Sequence, residues 1–199
     1  MSRTSVRLAA TAATAVLAVT GLSGAAAADT SVPATAASGS AVVHENTAFI
    51  QQTAAAGILV VPLPSATPGY DSAGGFSATF PATGGDADLA ASYGGVQLGG
   101  GLLFVNLTTG RTAIFKQLAF DAFGWQLTGV PLGGTDPVPL LDPAGQTTIT
   151  RTGTTQQLVA TDLTVDAQGA QVIDGKLNST FFRGGQSVGT LSVSFTPAG

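Results

Sequence analysis

Few residues in this chain of 199 amino acids could do chemistry. It has no cysteine, which excludes disulfides, thiolate metal sites and a cysteine nucleophile. It has one histidine, His44, next to a segment that is predicted to be flexible. A serine nucleophile needs a base that a third group orients, and a zinc site needs several His or Cys ligands. We therefore expect a protein that is not an enzyme and that needs no cofactor.

Carboxylates are the remaining candidates for acid–base or metal chemistry. Asp86 and Asp88 stand two residues apart. On a strand they would share one face and could bind a hard cation, or serve a hydrolase as a carboxylate pair. In a turn after Gly84-Gly85, Asp86 would instead cap the backbone. A second cluster, Asp162 and Asp166, is interpreted as a solvent-facing strand residue and a helix cap.

The aromatic residues offer a different kind of site. Most of them alternate along apolar runs, which is typical of core packing. Phe123 and Trp125 flank Gly124 at a predicted turn, where they could be exposed to a ligand or partner. Tyr93 could ligate haem iron, as some tyrosines do. There are thus two alternatives for Tyr93, Phe123 and Trp125: they pack in the core, or they form a ligand site.

Residues 1–28 have the organisation of a secretory signal peptide. Arg3 and Arg7 precede an apolar run over 8–22, and Ala28 ends a stretch of alanines that suits cleavage. The run is shorter than the roughly 20 residues of a membrane span. Cleavage would leave five basic residues against eleven acidic ones, a net charge of −6. A chain with so few Lys and Arg residues offers no basic surface for the phosphates of a nucleic acid. We expect a secreted monomer without a membrane span, whose partners would be extracellular or in the cell envelope.

The chain is predicted to contain three segments: the signal peptide over 1–28, a flexible lead-in over 29–43, and one β-rich domain over 44–199. A short helix is expected over 44–56, capped by Asn46 or Thr47 and ended by Gly57. A second is expected over 166–177, with Asp166 as its N-cap.

The rest of the domain has the pattern of short antiparallel strands. Alternating apolar runs recur about every ten residues and end at glycines or prolines. Three glycines at 99–101 between two such runs predict a hairpin, and a change of parity near Lys116 predicts a bulge. Two helices are too few for a parallel sheet. The predicted fold class is therefore all-β: a single antiparallel β-sandwich or barrel-like domain with two short peripheral helices.

Several short motifs follow one another in an order that resembles a known family. They are FPATGG at 80–85, GGGLLF at 99–104, GWQLTG at 124–129, LT at 163–164 with GA at 169–170, FFRGG at 181–185 and VG at 188–189. Together they resemble secreted actinobacterial β-rich domains and, distantly, the HtaA-type haem-transport domain. The resemblance implies a β-rich fold displayed at the envelope, which binds haem through an axial tyrosine supported by a histidine. This chain has no tyrosine in the early segment over 47–52, and Asn106 stands where the family's histidine falls.

These observations favour a secreted, non-enzymatic binding or structural protein of the envelope or the extracellular space. The first alternative is a binder of haem or another hydrophobic small ligand, of HtaA-like type with an altered site. The second is a hydrolase that uses a pair of aspartates, for which Asp86 would be essential.

Overall fold

The computed structural model describes residues 36–72 and 75–199, and the predicted signal peptide lies outside them. Within that part the chain forms eleven strands and two helices. In chain order they are β1 (Ser38–Glu45), α1 (Thr47–Ala55), β2 (Ile58–Leu63), β3 (Thr67–Asp71), β4 (Gly75–Gly85), β5 (Gly95–Leu98), β6 (Gly101–Asn106), β7 (Arg111–Asp121), β8 (Gln126–Pro131), β9 (Val138–Thr152), β10 (Thr155–Val165), α2 (Ala167–Leu177) and β11 (Ser187–Thr196). None of the described helices is long and apolar enough to cross a membrane.

Eight of the strands close into an antiparallel barrel. The order around it is β7-β5-β4-β1-β11-β10-β9-β8, and pairing of β8 with β7 closes the ring. Inward positions alternate along each strand, as at Leu158 and Ala160 on β10 and at Leu191 and Val193 on β11, all of which are buried. An eight-stranded barrel is just wide enough for side chains to fill or for one small ligand. The predicted all-β fold with two short helices is confirmed.

One side of the barrel is split, because β5 is only four residues long. It joins β4 to β7 over one half of each strand, pairing with 82–85 and with 119–121. Over the other half, β3 pairs with β4, and β6 pairs with β7 and carries β2 on its far edge. In the described part of the chain β2 and β3 do not pair with each other. The barrel wall therefore has an opening between the edge formed by β3 and β4 and the edge formed by β2.

The prediction of a hairpin around 99–101 is wrong, because β5 and β6 do not pair with each other. The glycines connect β5 to β6, but the two strands lie one after the other along the same edge of β7. Gly100 has φ +92°, and a Cβ there would lie 2.9 Å from the backbone nitrogen of Ala66. The glycine run thus lets the chain cross closely beneath the β2–β3 connection and step from one half of β7 to the other.

The first strand is a second difference from the prediction. Residues 38–43 were expected in the flexible lead-in and His44 and Glu45 in a helix, but β1 covers all of them. β1 lies between β4 and β11 and pairs with both. Its small side chains carry little local strand signal, so long-range pairing fixes its conformation. The β-domain therefore begins at Ser38 in the described part of the chain, before the predicted boundary at His44.

Both helix caps form as predicted. The Asn46 side chain accepts a hydrogen bond from the Phe49 backbone nitrogen at 2.7 Å, and Gly57 with φ +67° follows the end of α1. Asp166 accepts from Gln168 and Gly169 at the start of α2, at 2.7 and 2.9 Å. The bulge is also confirmed, since the register of β7 against β8 shifts between Lys116 and Ala119.

The loop between β4 and β5 is closed by a buried glutamine. Residues 89–92 form a turn, and Asp88 and Tyr93 on either side of it form an isolated bridge. The Gln156 side chain is 1% exposed and accepts from the Leu89 backbone nitrogen at 2.7 Å. It also donates to the Ala87 carbonyl oxygen at 2.9 Å. Gln156 thus replaces strand pairing for a loop whose Leu89 is fully buried.

Candidate ligand-binding site

The two aspartates proposed for a cation lie in the β4–β5 loop. Asp86 Oδ1 accepts from the Gly95 backbone nitrogen at 3.3 Å, and Asp88 Oδ1 accepts from Ala91 at 3.1 Å. Asp88 Oδ2 also lies 3.8 Å from an Arg151 guanidinium nitrogen, and both side chains are well exposed. Since neither aspartate is within a named strand, the premise that they share a strand face is wrong. A cation site at Asp86 and Asp88 stays a prediction.

The aromatic candidates lie in the same region. Trp125 has φ +54° after the turn and donates from Nε1 to Ser92 Oγ at 3.1 Å, which places it next to Tyr93. Its ring meets Phe120 edge-on at 6.4 Å. Phe123 is 82% exposed and Tyr93 is 63% exposed. The structure thus ties Trp125, partly buried against the core, to the residue before Tyr93, and it leaves Phe123 exposed at the turn. Their role in ligand binding stays a prediction.

Among the described residues, no group of three or more His, Asp or Glu side chains could hold a metal ion. Asn106, at the position of the family's histidine, is 5% exposed. It accepts from the Thr108 and Thr109 backbone nitrogens at 3.0 and 3.2 Å, and donates to the Leu177 carbonyl oxygen at 3.2 Å. Asn106 therefore joins the β6–β7 turn to the end of α2.

A groove that the sequence did not indicate lies in the split of the barrel wall. It has a volume of about 370 Å³, within the range of small-molecule sites. Helix α1 forms one side of it, β2 another, and Phe76 of β4 stands across from β2. We call it the α1 groove; its lining residues are Glu45, Phe49, Ile50, Thr53, Ala54, Gly57, Ile58, Leu59, Val60, Phe76 and Leu107.

The walls of the α1 groove expose large apolar side chains. Leu59, Phe76 and Leu107 are each 50 to 70% exposed. Tyr70 of β3 extends this surface, with its ring 5.0 Å from that of Phe76. Isolated exposed apolar residues are ordinary, but a contiguous apolar surface around a concave site marks binding.

Behind the groove lies a small apolar cavity inside the barrel. It has a volume of about 40 Å³, room for a few water-sized groups. Both helices border it, α1 through Phe49 and α2 through Ile173. Phe182 and Phe104 form part of its wall and pack edge-on at 5.6 Å. The cavity is about a ninth of the volume of the groove and shares lining residues with it.

Glu45 lies where the groove and the inner cavity meet. Glu45, Phe49 and Val60 line both spaces. On β1, Glu45 follows Ala41 and Val43 on the buried face, so strand alternation directs its side chain inward. Burial raises the pKa of the Glu45 carboxyl above its ordinary value. Of the described residues that line either space, Glu45 is the one that can carry a charge.

Glu45 was not a candidate from the sequence, because residues 44–56 were predicted to form the first helix. The sequence signal for a strand here is the run Ala41-Val42-Val43, which is apolar throughout and does not alternate. That signal is weak because the strand is short and begins with Ser-Gly-Ser. The groove itself could not be found from sequence, because it depends on where β5 ends relative to β2 and β3.

Comparison with known proteins places the fold. No family model matches this chain, and no curated protein matches it. Among solved structures, the chain is similar to the C-terminal domain of HtaA from Corynebacterium glutamicum, with a TM-score of 0.54 and 16% sequence identity. The match covers 83% of this chain and 99% of that domain. The resemblance stated from the sequence motifs is thus confirmed at the level of the fold.

Proposed function

We propose that this protein is a secreted, non-enzymatic binding protein whose ligand is a small apolar molecule held in the α1 groove. The observation that carries the proposal is an exposed apolar groove that lies directly against a cavity inside the barrel, since Glu45, Phe49 and Val60 line both. In a barrel that binds no ligand we would expect this opening in the wall to be closed, because it is costly to leave the side chains of Leu59, Phe76 and Leu107 exposed to water.

The chemistry of the lining supports binding over catalysis. Glycoside hydrolysis uses a pair of carboxylates, and Glu45 is the single carboxylate among the described residues that line the groove. The Thr53 hydroxyl at the groove is buried and donates to the Ile50 carbonyl oxygen at 2.9 Å, in its own helix. No histidine that could serve as its base is among the described lining residues. The proposal therefore assigns no reaction to the site.

Haem binding is the second candidate, and the likeness to the HtaA domain favours it. Neither a tyrosine nor a histidine is among the described residues that line the groove or the inner cavity. A haem ligated by Tyr93 would instead lie on the surface near Trp125. A saturable shift of the Soret band when haemin is titrated into the protein, lost in Tyr93→Phe, would support this candidate.

The groove is tested with an uncharged apolar fluorophore, N-phenyl-1-naphthylamine, titrated into the purified protein. Ala54 is exposed and lines the groove, whereas its neighbour Ala55 is exposed and does not. Ala54→Trp should fill the groove and weaken probe binding at least about tenfold, while Ala55→Trp should leave it within about twofold. Equal binding by the two variants, or no saturable binding by the wild type, would contradict the proposal.

A further inference from the structure

We infer that the ligand of the α1 groove is an alkyl amine or a similar amphiphilic cation, whose positive head pairs with the Glu45 carboxylate while its apolar part occupies the groove. This inference rests on the proposed function of the groove. It adds the charge of the ligand and the residue that recognises it.

The first argument is the missing partner of Glu45. Its side chain has no hydrogen bond or ion pair among the described residues, although the carboxyl is partly buried among apolar groups. A buried carboxylate is costly unless it is paired and hydrogen-bonded. An apolar residue at this half-buried position would carry no such cost, as at the buried Val43 two residues earlier. A cation bound beside Glu45 would remove the cost.

The second argument is the sign of the surrounding charge. The whole chain has 11 acidic and 7 basic residues. No Lys or Arg is among the described residues that line the groove or the cavity. A fatty acid or another apolar anion would thus meet an uncompensated carboxylate in a negative field, whereas a cation would be attracted. A charge-assisted hydrogen bond to Glu45 would also be stronger than a neutral one.

The third argument is the shape of the two spaces. The inner cavity of about 40 Å³ is lined by apolar side chains apart from Glu45 and accepts no more than a short alkyl group. The groove, at about 370 Å³, is the larger space and is open to solvent through Leu59, Phe76 and Leu107. A head at the junction with an apolar chain along the groove satisfies both Glu45 and the exposed apolar walls.

The test displaces the fluorophore from the protein with three compounds of equal length: n-octylamine, n-octanol and octanoate at pH 7.5. The amine should bind about ten- to a hundredfold more tightly than the alcohol, and octanoate should bind least. Glu45→Gln should abolish the preference for the amine and leave octanol binding within about twofold. Asp136→Asn, which removes an exposed carboxylate outside the groove, should preserve the preference.

The outcomes separate the inference from the function on which it rests. Equal binding of amine and alcohol by the wild type would refute the inference that the ligand is a cation. The proposed binding of apolar molecules in the groove would still stand. A preference for the amine that survives in Glu45→Gln would overturn the role of Glu45. If none of the compounds displaces the probe, or the probe does not bind, the proposed function itself falls. The ranking on the wild type decides the charge of the ligand even if Glu45→Gln does not fold.

Discussion

Replacing Gln156 by leucine should destabilise the domain far more than the same change one residue later. The amide of Gln156 makes both of its hydrogen bonds to the loop between β4 and β5, to the Leu89 nitrogen and the Ala87 oxygen. Gln156→Leu puts an apolar side chain at this position and removes both bonds. The nitrogen of Leu89 and the oxygen of Ala87 would then be buried without partners.

The magnitude follows from the two unpaired groups. Each buried donor or acceptor left without a partner costs about 1–3 kcal/mol, so Gln156→Leu should lower the free energy of unfolding by about 2–6 kcal/mol. In a domain of this size, 1 kcal/mol corresponds to a change of about 2–4 °C in Tm. The expected fall in Tm is therefore between about 4 and 24 °C.

The assay is urea unfolding followed by circular dichroism, with Gln157→Leu as the matched control. Gln157 is exposed on the same strand and points to the other face. Its replacement should change the free energy of unfolding by no more than about 0.5 kcal/mol. If Gln156→Leu costs no more than Gln157→Leu, Gln156 does not hold the β4–β5 loop, and the role assigned to its side chain is refuted.

Two further predictions concern polar groups near α2. Asn106→Leu should lower the free energy of unfolding by about 1–3 kcal/mol in urea, because the Thr108 and Thr109 backbone nitrogens lose their acceptor. The cost per group is smaller than at Gln156, because Thr108 and Thr109 are exposed and water can bind their nitrogens. An unchanged midpoint would contradict this prediction. Asp142→Asn should stabilise the protein at pH 7, because burial and then the neighbouring Asp166 carboxylate raise the pKa of Asp142. The folded state therefore favours the protonated acid, and its contribution to stability is lost as the pH rises through the folded pKa. The gain in stability from Asp142→Asn should become smaller as the pH falls toward 3.8, the ordinary pKa of an aspartate. If the free energies of unfolding of variant and wild type differ by the same amount at every pH, this cause is refuted.

The features that sequence predicted best are those fixed by neighbouring residues. Asn46 and Asp166 cap helices by bonding to nitrogens two or three positions along the chain, so their residue type and spacing were sufficient. The bulge near Lys116 follows from the change in which residues are buried along one strand. In these cases the physical cause lies within a few residues.

The features that sequence did not predict depend on distant pairing. β1 is a strand because β4 and β11 flank it, and the split of the wall follows from the length of β5. The same holds for the candidate site, since the α1 groove joins residues from β1, α1, β2 and β4. Tyr93, Phe123 and Trp125 were chosen for their chemical type, and the structure places them apart from the groove.

Mapping the amides that respond to the apolar probe tests the central claim most directly. In ¹H–¹⁵N NMR spectra of the labelled protein, added probe should shift the amides of Ala54, Leu59, Phe76 and Leu107, which line the α1 groove. The amides of Tyr93 and Phe123 should stay unchanged. Shifts confined to Tyr93 and its neighbours, with none at the groove, would contradict the account and return the ligand site to the surface around Trp125.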